Sequence, residues 1–101
     1  MVVLKAHGLL AGTDADALTA SLTKLIDQGA SGVILDISDI LFVDSHGLEV
    51  LVQAAELMVR NGRTLKLSGR NPKLHEVLEL TEVASLFEAY EDVESAVESC
   101  R

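Results

Sequence analysis

Aspartate, serine and histidine stand together at Asp44-Ser45-His46, Gly47 and Leu48 follow them, and a second acid, Asp36, lies upstream. These residue types could support nucleophilic catalysis, phosphoryl acceptance or metal binding. The pattern argues against the first, because consecutive helical side chains point about 100° apart, so Ser45 and His46 do not face each other as nucleophile and base. No G-x-S-x-G elbow surrounds the serine either. Asp36 as a phosphoacceptor would need acids after the first strand to hold magnesium, and Leu9-Leu10-Ala11-Gly12 supplies none. His7, His46 and His75 are too dispersed for a zinc site, and no phosphate loop occurs. A serine hydroxyl beside an acid at a helix start remains, and it has two readings. Asp44 and Ser45 cap a helix and nothing more, or Ser45 accepts a phosphate, which orphan N–H groups and the positive end of the helix dipole would tolerate.

The elements around this segment must place it at such a start. Val2 to Leu10 mixes apolar residues with Lys5 and His7 in near alternation, the pattern of a half-exposed strand, with Gly8 marking a bulge or a close backbone approach. Thr13 and Asp16 have capping-box spacing before a helical stripe of Leu18, Leu22, Leu25 and Ile26 that Gly29 stops. Val33 to Ile37 is nearly all apolar, as in a strand covered on both faces, Asp36 being the exception. From Leu48 to Val59, the set Leu48, Leu51, Val52, Ala55 and Val59 marks a buried helical face, widened by Val50, Leu57 and Met58, before Asn61-Gly62 ends it. Thr64 to Ser68 reads as a third strand, and Asn71-Pro72 opens a helix with an inner stripe of Leu74, Val77 and Leu78. Leu86 to Tyr90 suits an edge strand, and Val93, Ala96, Val97 and Cys100 a closing helix. Alternation of this kind predicts an α/β domain spanning 1–101, with a mostly parallel or mixed sheet of about four strands and four helices. Function in such sheets gathers at the carboxyl ends of the strands, which singles out the stretch from Ile37 to Leu48.

Composition narrows the partners. The chain has 101 residues, a formal charge of -8 and 3% aromatic residues, so its surface repels phosphate backbones and offers few rings for stacking bases. Direct nucleic-acid binding and membrane insertion are not expected, and one cysteine, Cys100, fits a reducing cytoplasm. Residues 60–73 carry five bases and no acid between two acidic flanks, which either docks an acidic partner or belongs to a mixed solvated surface.

Val33-Ile34-Leu35-Asp36-Ile37 followed by Phe42-Val43-Asp44-Ser45-His46-Gly47-Leu48 resembles the core signature of the STAS-domain family, in particular its anti-sigma factor antagonists. Their motif is Asp-Ser-x-Gly-Leu after an Asp-bearing strand, and the likeness continues through Asn61-Gly62-Arg63, Ser68, Leu74 to Leu80 and Leu86-Phe87. The resemblance implies a cytoplasmic switch protein without catalysis or cofactor of its own. Its Ser45 would be phosphorylated by an anti-sigma factor that is also a serine kinase and supplies the ATP, and a phosphatase would reverse the step. The unphosphorylated form would bind the anti-sigma factor and the phosphorylated form release it. Asp36, Asp44, His46, Gly47 and Leu48 would border the contact, with apolar binding expected near Leu48 and the preceding loop. The rival is a constitutive STAS scaffold, in a stress-signalling or lipid-transport assembly, that does not use Ser45 as a switch.

Three departures from the family pattern stand out. His46 replaces a residue that is usually small. Gly8-Leu9-Leu10-Ala11 replaces an acidic turn, and a strand expected before Val2 is absent, so the sheet has one strand fewer or the chain is trimmed.

Overall fold

The computed structural model describes residues 2–29 and 32–99, without the side chain of His7; Cys100, expected on the last helix, lies outside them. Four strands, β1 (Val2–Leu10), β2 (Val33–Val43), β3 (Leu65–Ser68) and β4 (Phe87–Tyr90), alternate with four helices, α1 (Gly12–Asp27), α2 (Ser45–Arg60), α3 (Pro72–Leu80) and α4 (Val93–Glu98). The sheet order is β1-β2-β3-β4 and every pairing is parallel, as helical crossovers between successive strands require.

Pleating divides the sheet residues between two layers. Val33, Leu35, Ile37, Leu65, Leu67 and Phe87 share one core with the buried faces of α1, α2 and α3. Ile34, Lys66 and Ser68 alternate with that set, and α4 packs against β2, β3 and β4. Ala96 is fully buried, and the Lys66 ammonium donates to Ser99 Oγ at 2.7 Å.

Three expectations are corrected. α1 starts at Gly12 with Ala11 as its N-cap and no side-chain cap, so Thr13 and Asp16 form no capping box. In α2 the buried residues are Gly47, Val50, Leu51, Ala54, Ala55 and Met58, whereas Val52 and Leu57 are half-exposed and Val59 is exposed. The core stripe is therefore turned by about one residue from the expected one. β2 does not stop at Ile37 but runs to Val43, paired with β1 along its length through two register shifts, one beside Gly8 at φ 78°.

The extension of β2 positions the site. β3 pairs only with Ile34 to Asp36, so past that point the β2 edge has no strand on its β3 side. Asn71, buried before α3, fills the place. Its amide donates to the carbonyls of Ile37 at 2.8 Å and Ile40 at 3.0 Å, while its Oδ1 accepts from Leu74 N at 3.2 Å and caps α3. One side chain thus satisfies two strand carbonyls and one helix N–H, groups that are costly to leave unpaired when buried.

Candidate functional site

The site lies where β2 hands over to α2, at the carboxyl end of the sheet. Asp44 is the N-cap, with extended backbone, and its Oδ1 accepts from Gly47 N at 2.7 Å. That choice leaves Ser45 as the first helical residue, exposed, beside a dipole end that favours negative charge. Asp44 N also donates to the Leu10 carbonyl at 3.3 Å, tying the helix start to the end of β1.

Gly47 makes that tie possible. It is buried, and a Cβ built there would overlap the Leu10 carbonyl oxygen and lie 2.7 Å from the carbonyl carbon. Any side chain would push the first turn of α2 off β1. The glycine of the motif is therefore a packing residue, whereas the serine before it is a surface residue.

His46 is engaged with α1. Its Nε2 lies 2.7 Å from Asp16 Oδ1, thirty positions earlier on α1, and both side chains are largely exposed. The hydrogen bond to Asp16 raises the imidazole pKa, desolvation opposes it, and the charges of Asp16, Asp44 and Glu49 support it. The imidazole is thus committed to a carboxylate on another helix and is not placed as a base for Ser45.

Asp36 is engaged elsewhere. Its Oδ1 accepts from Ser38 N at 3.0 Å and Ser38 Oγ at 2.8 Å, and Gly69, at φ 103°, comes so close that a Cβ there would lie 2.9 Å from the same oxygen. Asp36 shapes the bend where β2 leaves β3, while Asp44, Ser45, His46 and Gly47 form one cluster at the helix start. Leu48 is half-buried and packs against the core, so it is a poor source of free apolar contact.

The exposed apolar residues at this end are Leu41 at 78% and Phe42 at 55% exposure, in the stretch before Leu48 where apolar binding is expected, and Leu9 at 51% on β1, which the sequence pattern did not single out and which pairs with Phe42 across the strands. Leu41 is the residue of β2 without a partner on β1 at the register shift, and with the Leu9–Phe42 pair it makes an uncovered apolar ridge along the chain just before Asp44. Beside it, Ile40 to Val43 line a cavity of about 230 Å³ with Asn71, Lys73, Leu74 and Val77. The signal that could have found the ridge is the run Ile40-Leu41-Phe42-Val43, too long for a solvated loop and abutting the serine. The five bases of residues 60–73 do not gather here, since they fall on the end of α2, on the loop after it, on β3 and around the start of α3. This placement fits the mixed-surface reading.

Comparison with known proteins agrees with the architecture. A protein of Bordetella bronchiseptica named "Putative anti-sigma factor antagonist BtrV" is 27% identical over 96 residues, covering 95% of this chain and 83% of its own. A crystal structure of a Thermotoga maritima chain of like description superposes with a TM-score of 0.82 at 23% identity, covering 97% of this chain and 86% of that one. SpoIIAA, the Bacillus cell fate determinant and an anti-sigma factor antagonist, matches in its unphosphorylated form with a TM-score of 0.75 at 20% identity, covering 98% of this chain and 87% of that one. Its phosphorylated form matches at 0.77 and 19%, covering 98% and 89%. The STAS domain profile matches residues 1–96, and the chain belongs to the STAS-domain family.

Proposed function

We propose that this chain is an anti-sigma factor antagonist whose docking face is the start of α2 together with the Leu9, Leu41 and Phe42 ridge, and whose switch is phosphorylation of Ser45. The observation that carries this reading is the exposed hydroxyl at the first residue of α2, with the cap already made by Asp44, directly beside uncovered apolar surface. The names of the relatives point the same way.

The partner is a kinase-type anti-sigma factor, and the chemistry belongs to it. Ser45 Oγ forms a bond to the γ-phosphorus of the partner's ATP as the bond to the bridging oxygen breaks. ADP leaves, and the hydroxyl proton passes to the partner's base or to solvent. A phosphatase reverses the modification by hydrolysis. This chain supplies the acceptor and the docking surface and needs no cofactor.

Two magnitudes support a switch in binding rather than in folding. A phosphate adds about -1.5 to -2 charges, and the helix dipole favours it by about 0.3–1 kcal/mol, so the domain tolerates the modification. Against a docked acid about 7 Å away, one unit of added charge costs about 2.4 kcal/mol at an effective dielectric near 20, or tens of fold in affinity. Apolar contacts with the ridge provide affinity, and charge sets specificity and on-rate.

The test uses wild type, Ser45→Ala and Ser45→Asp as baits in native lysate at moderate salt, with the captured proteins identified by mass spectrometry. An ATPase-type anti-sigma factor held by the first two and lost by the third is expected. One unrelated partner held equally by all three would overturn the reading and leave a constitutive adaptor.

A further inference from the structure

The pair between His46 and Asp16 stands beside the switch without being part of it. Charge makes its position notable. Among the described residues the charged groups acting on the imidazole are Asp16 on α1, Asp44 at the helix cap and Glu49 on α2, all acids. A phosphate on Ser45 would enter this acidic surround, and the imidazole is the group there able to carry positive charge.

We propose that His46 is the counter-ion of the modified switch: when Ser45 carries a phosphate, the imidazolium leaves Asp16 and pairs with the phosphate, exchanging a tie between two helices for a local one. This inference rests on the reading of Ser45 as the modified residue and adds how the modification is read by the rest of the site.

Geometry explains why the exchange waits for the phosphate. The Ser45 hydroxyl and the imidazole project from consecutive helical positions, about 100° apart. A phosphate lengthens the serine by a tetrahedral group with three strong acceptor oxygens. It offers His46 nearly twice the charge of Asp16, one residue away along the chain instead of thirty. Asp16 is exposed and the imidazole half-exposed, so the pair is made at the surface and can exchange partners there. Asp16 is then released on α1, and the surface gains an unpaired carboxylate as well as the phosphate.

Proton linkage follows. A phosphoserine loses its second proton near pH 6, close to the range in which imidazole titrates. If the two groups pair, ionising the phosphate raises the affinity of His46 for its proton, and protonating His46 lowers the phosphate pKa by the same factor. The modified switch is then sensitive to pH across the neutral range.

The experiment needs no kinase. Phosphoserine is installed at position 45 during synthesis of the full chain, and the phosphate is titrated by phosphorus NMR while His46 is titrated by its imidazole nitrogen shifts. Wild type is compared with His46→Gln and Asp16→Asn, each with a backbone amide spectrum confirming the fold. The phosphate is expected to titrate at lower pH in wild type than in His46→Gln. Asp16→Asn is expected to lower the His46 midpoint in the unmodified protein and to leave it unmoved in the phosphoprotein. Equal phosphate midpoints in wild type and His46→Gln, or a His46 midpoint that still answers to Asp16 after modification, would overturn the proposal. Those results leave the binding reading standing. Baits that fail to separate by Ser45 charge sink the binding reading and leave the NMR result intact.

Discussion

Replacing Gly47 by alanine sets two physical effects against each other and lets their sign decide. Helix propensity alone favours alanine over glycine by up to about 1 kcal/mol in a helix interior, so a surface position in α2 would gain stability. Gly47 is buried against the end of β1, and the added methyl would lie 2.7 Å from the Leu10 carbonyl carbon and closer still to its oxygen. Restoring an ordinary separation of about 3.5 Å from the carbon alone takes about 0.8 Å, and clearing the closer oxygen takes more, so the first turn of α2 or the end of β1 must shift by at least that much. The contact atom is backbone and cannot rotate aside. The displacement stretches the bond from Asp44 N to the same carbonyl, already 3.3 Å.

Overpacking of this kind costs about 1–3 kcal/mol, which exceeds the propensity gain over most of its range. With about 4–8 °C of Tm per kcal/mol for a domain of this size, Gly47→Ala should melt several degrees below wild type. Ser45, placed by the same turn, should become a poorer substrate for the partner kinase. Thermal unfolding followed by circular dichroism gives the first quantity, and the initial rate of phosphate incorporation the second. A Tm equal to or above that of wild type would show that propensity wins and that the close approach is not what the glycine is for.

The remaining predictions probe the cap, the pair and the ridge. Asp44→Ala should lose about 0.5–2 kcal/mol in urea unfolding, while Asp44→Asn keeps most of the capping energy; equal losses would mean that charge and not the hydrogen bond matters. The His46 pKa is raised in the folded protein by its bond to Asp16, so the pair stabilises below the unfolded value near 6.5 and that contribution is lost as pH rises through the folded value. The gap in urea midpoint between wild type and Asp16→Asn should therefore be present at pH 6 and absent at pH 9, and a gap that grows with pH would reverse the assigned sign. Phe42→Asp should cost only about 1–2 kcal/mol of unfolding free energy, through the lost cross-strand pair with Leu9 and lower strand propensity, yet weaken partner binding about tenfold or more. Calorimetric titration with the anti-sigma factor would expose an unaffected Kd.

Sequence pattern was most informative where the cause is local. Asn71-Pro72 caps α3 because an amide side chain and a fixed φ act within one turn, and the helix start at Asp44 and Ser45 follows from chemistry carried by neighbouring residues. It was least informative where the cause lies far along the chain. Ser38 and Asp39 break the apolar run and suggest a loop, but the strand continues because β1 supplies a ladder, Lys5 pairs with Asp39 at 3.1 Å, and Asn71 satisfies the other edge. Thr13 and Asp16 have the spacing of a capping box, yet Asp16 is engaged by His46. The buried face of α2 differs from the apolar pattern because Gly47 counts for nothing in such a pattern, although its lack of a side chain lets the first turn approach Leu10 at the end of β1.

These placements separate what holds the domain together from what a partner can read. The buried side of the junction is fixed by backbone contacts: the Gly47 approach, the bond from Asp44 N to the Leu10 carbonyl and the Asn71 bridge. The exposed side holds Ser45, His46, Asp16, Leu9, Leu41 and Phe42, none of which the core needs. Under the proposed function, charge added to Ser45 would leave the buried contacts in place, because the helix start favours it and the groups that would adjust to it face solvent. The proposed switch would store nothing in the fold. Its output exists only when a partner covers the junction and turns surface charge into interface charge, where the same Coulomb interaction is less screened and therefore large enough to decide binding.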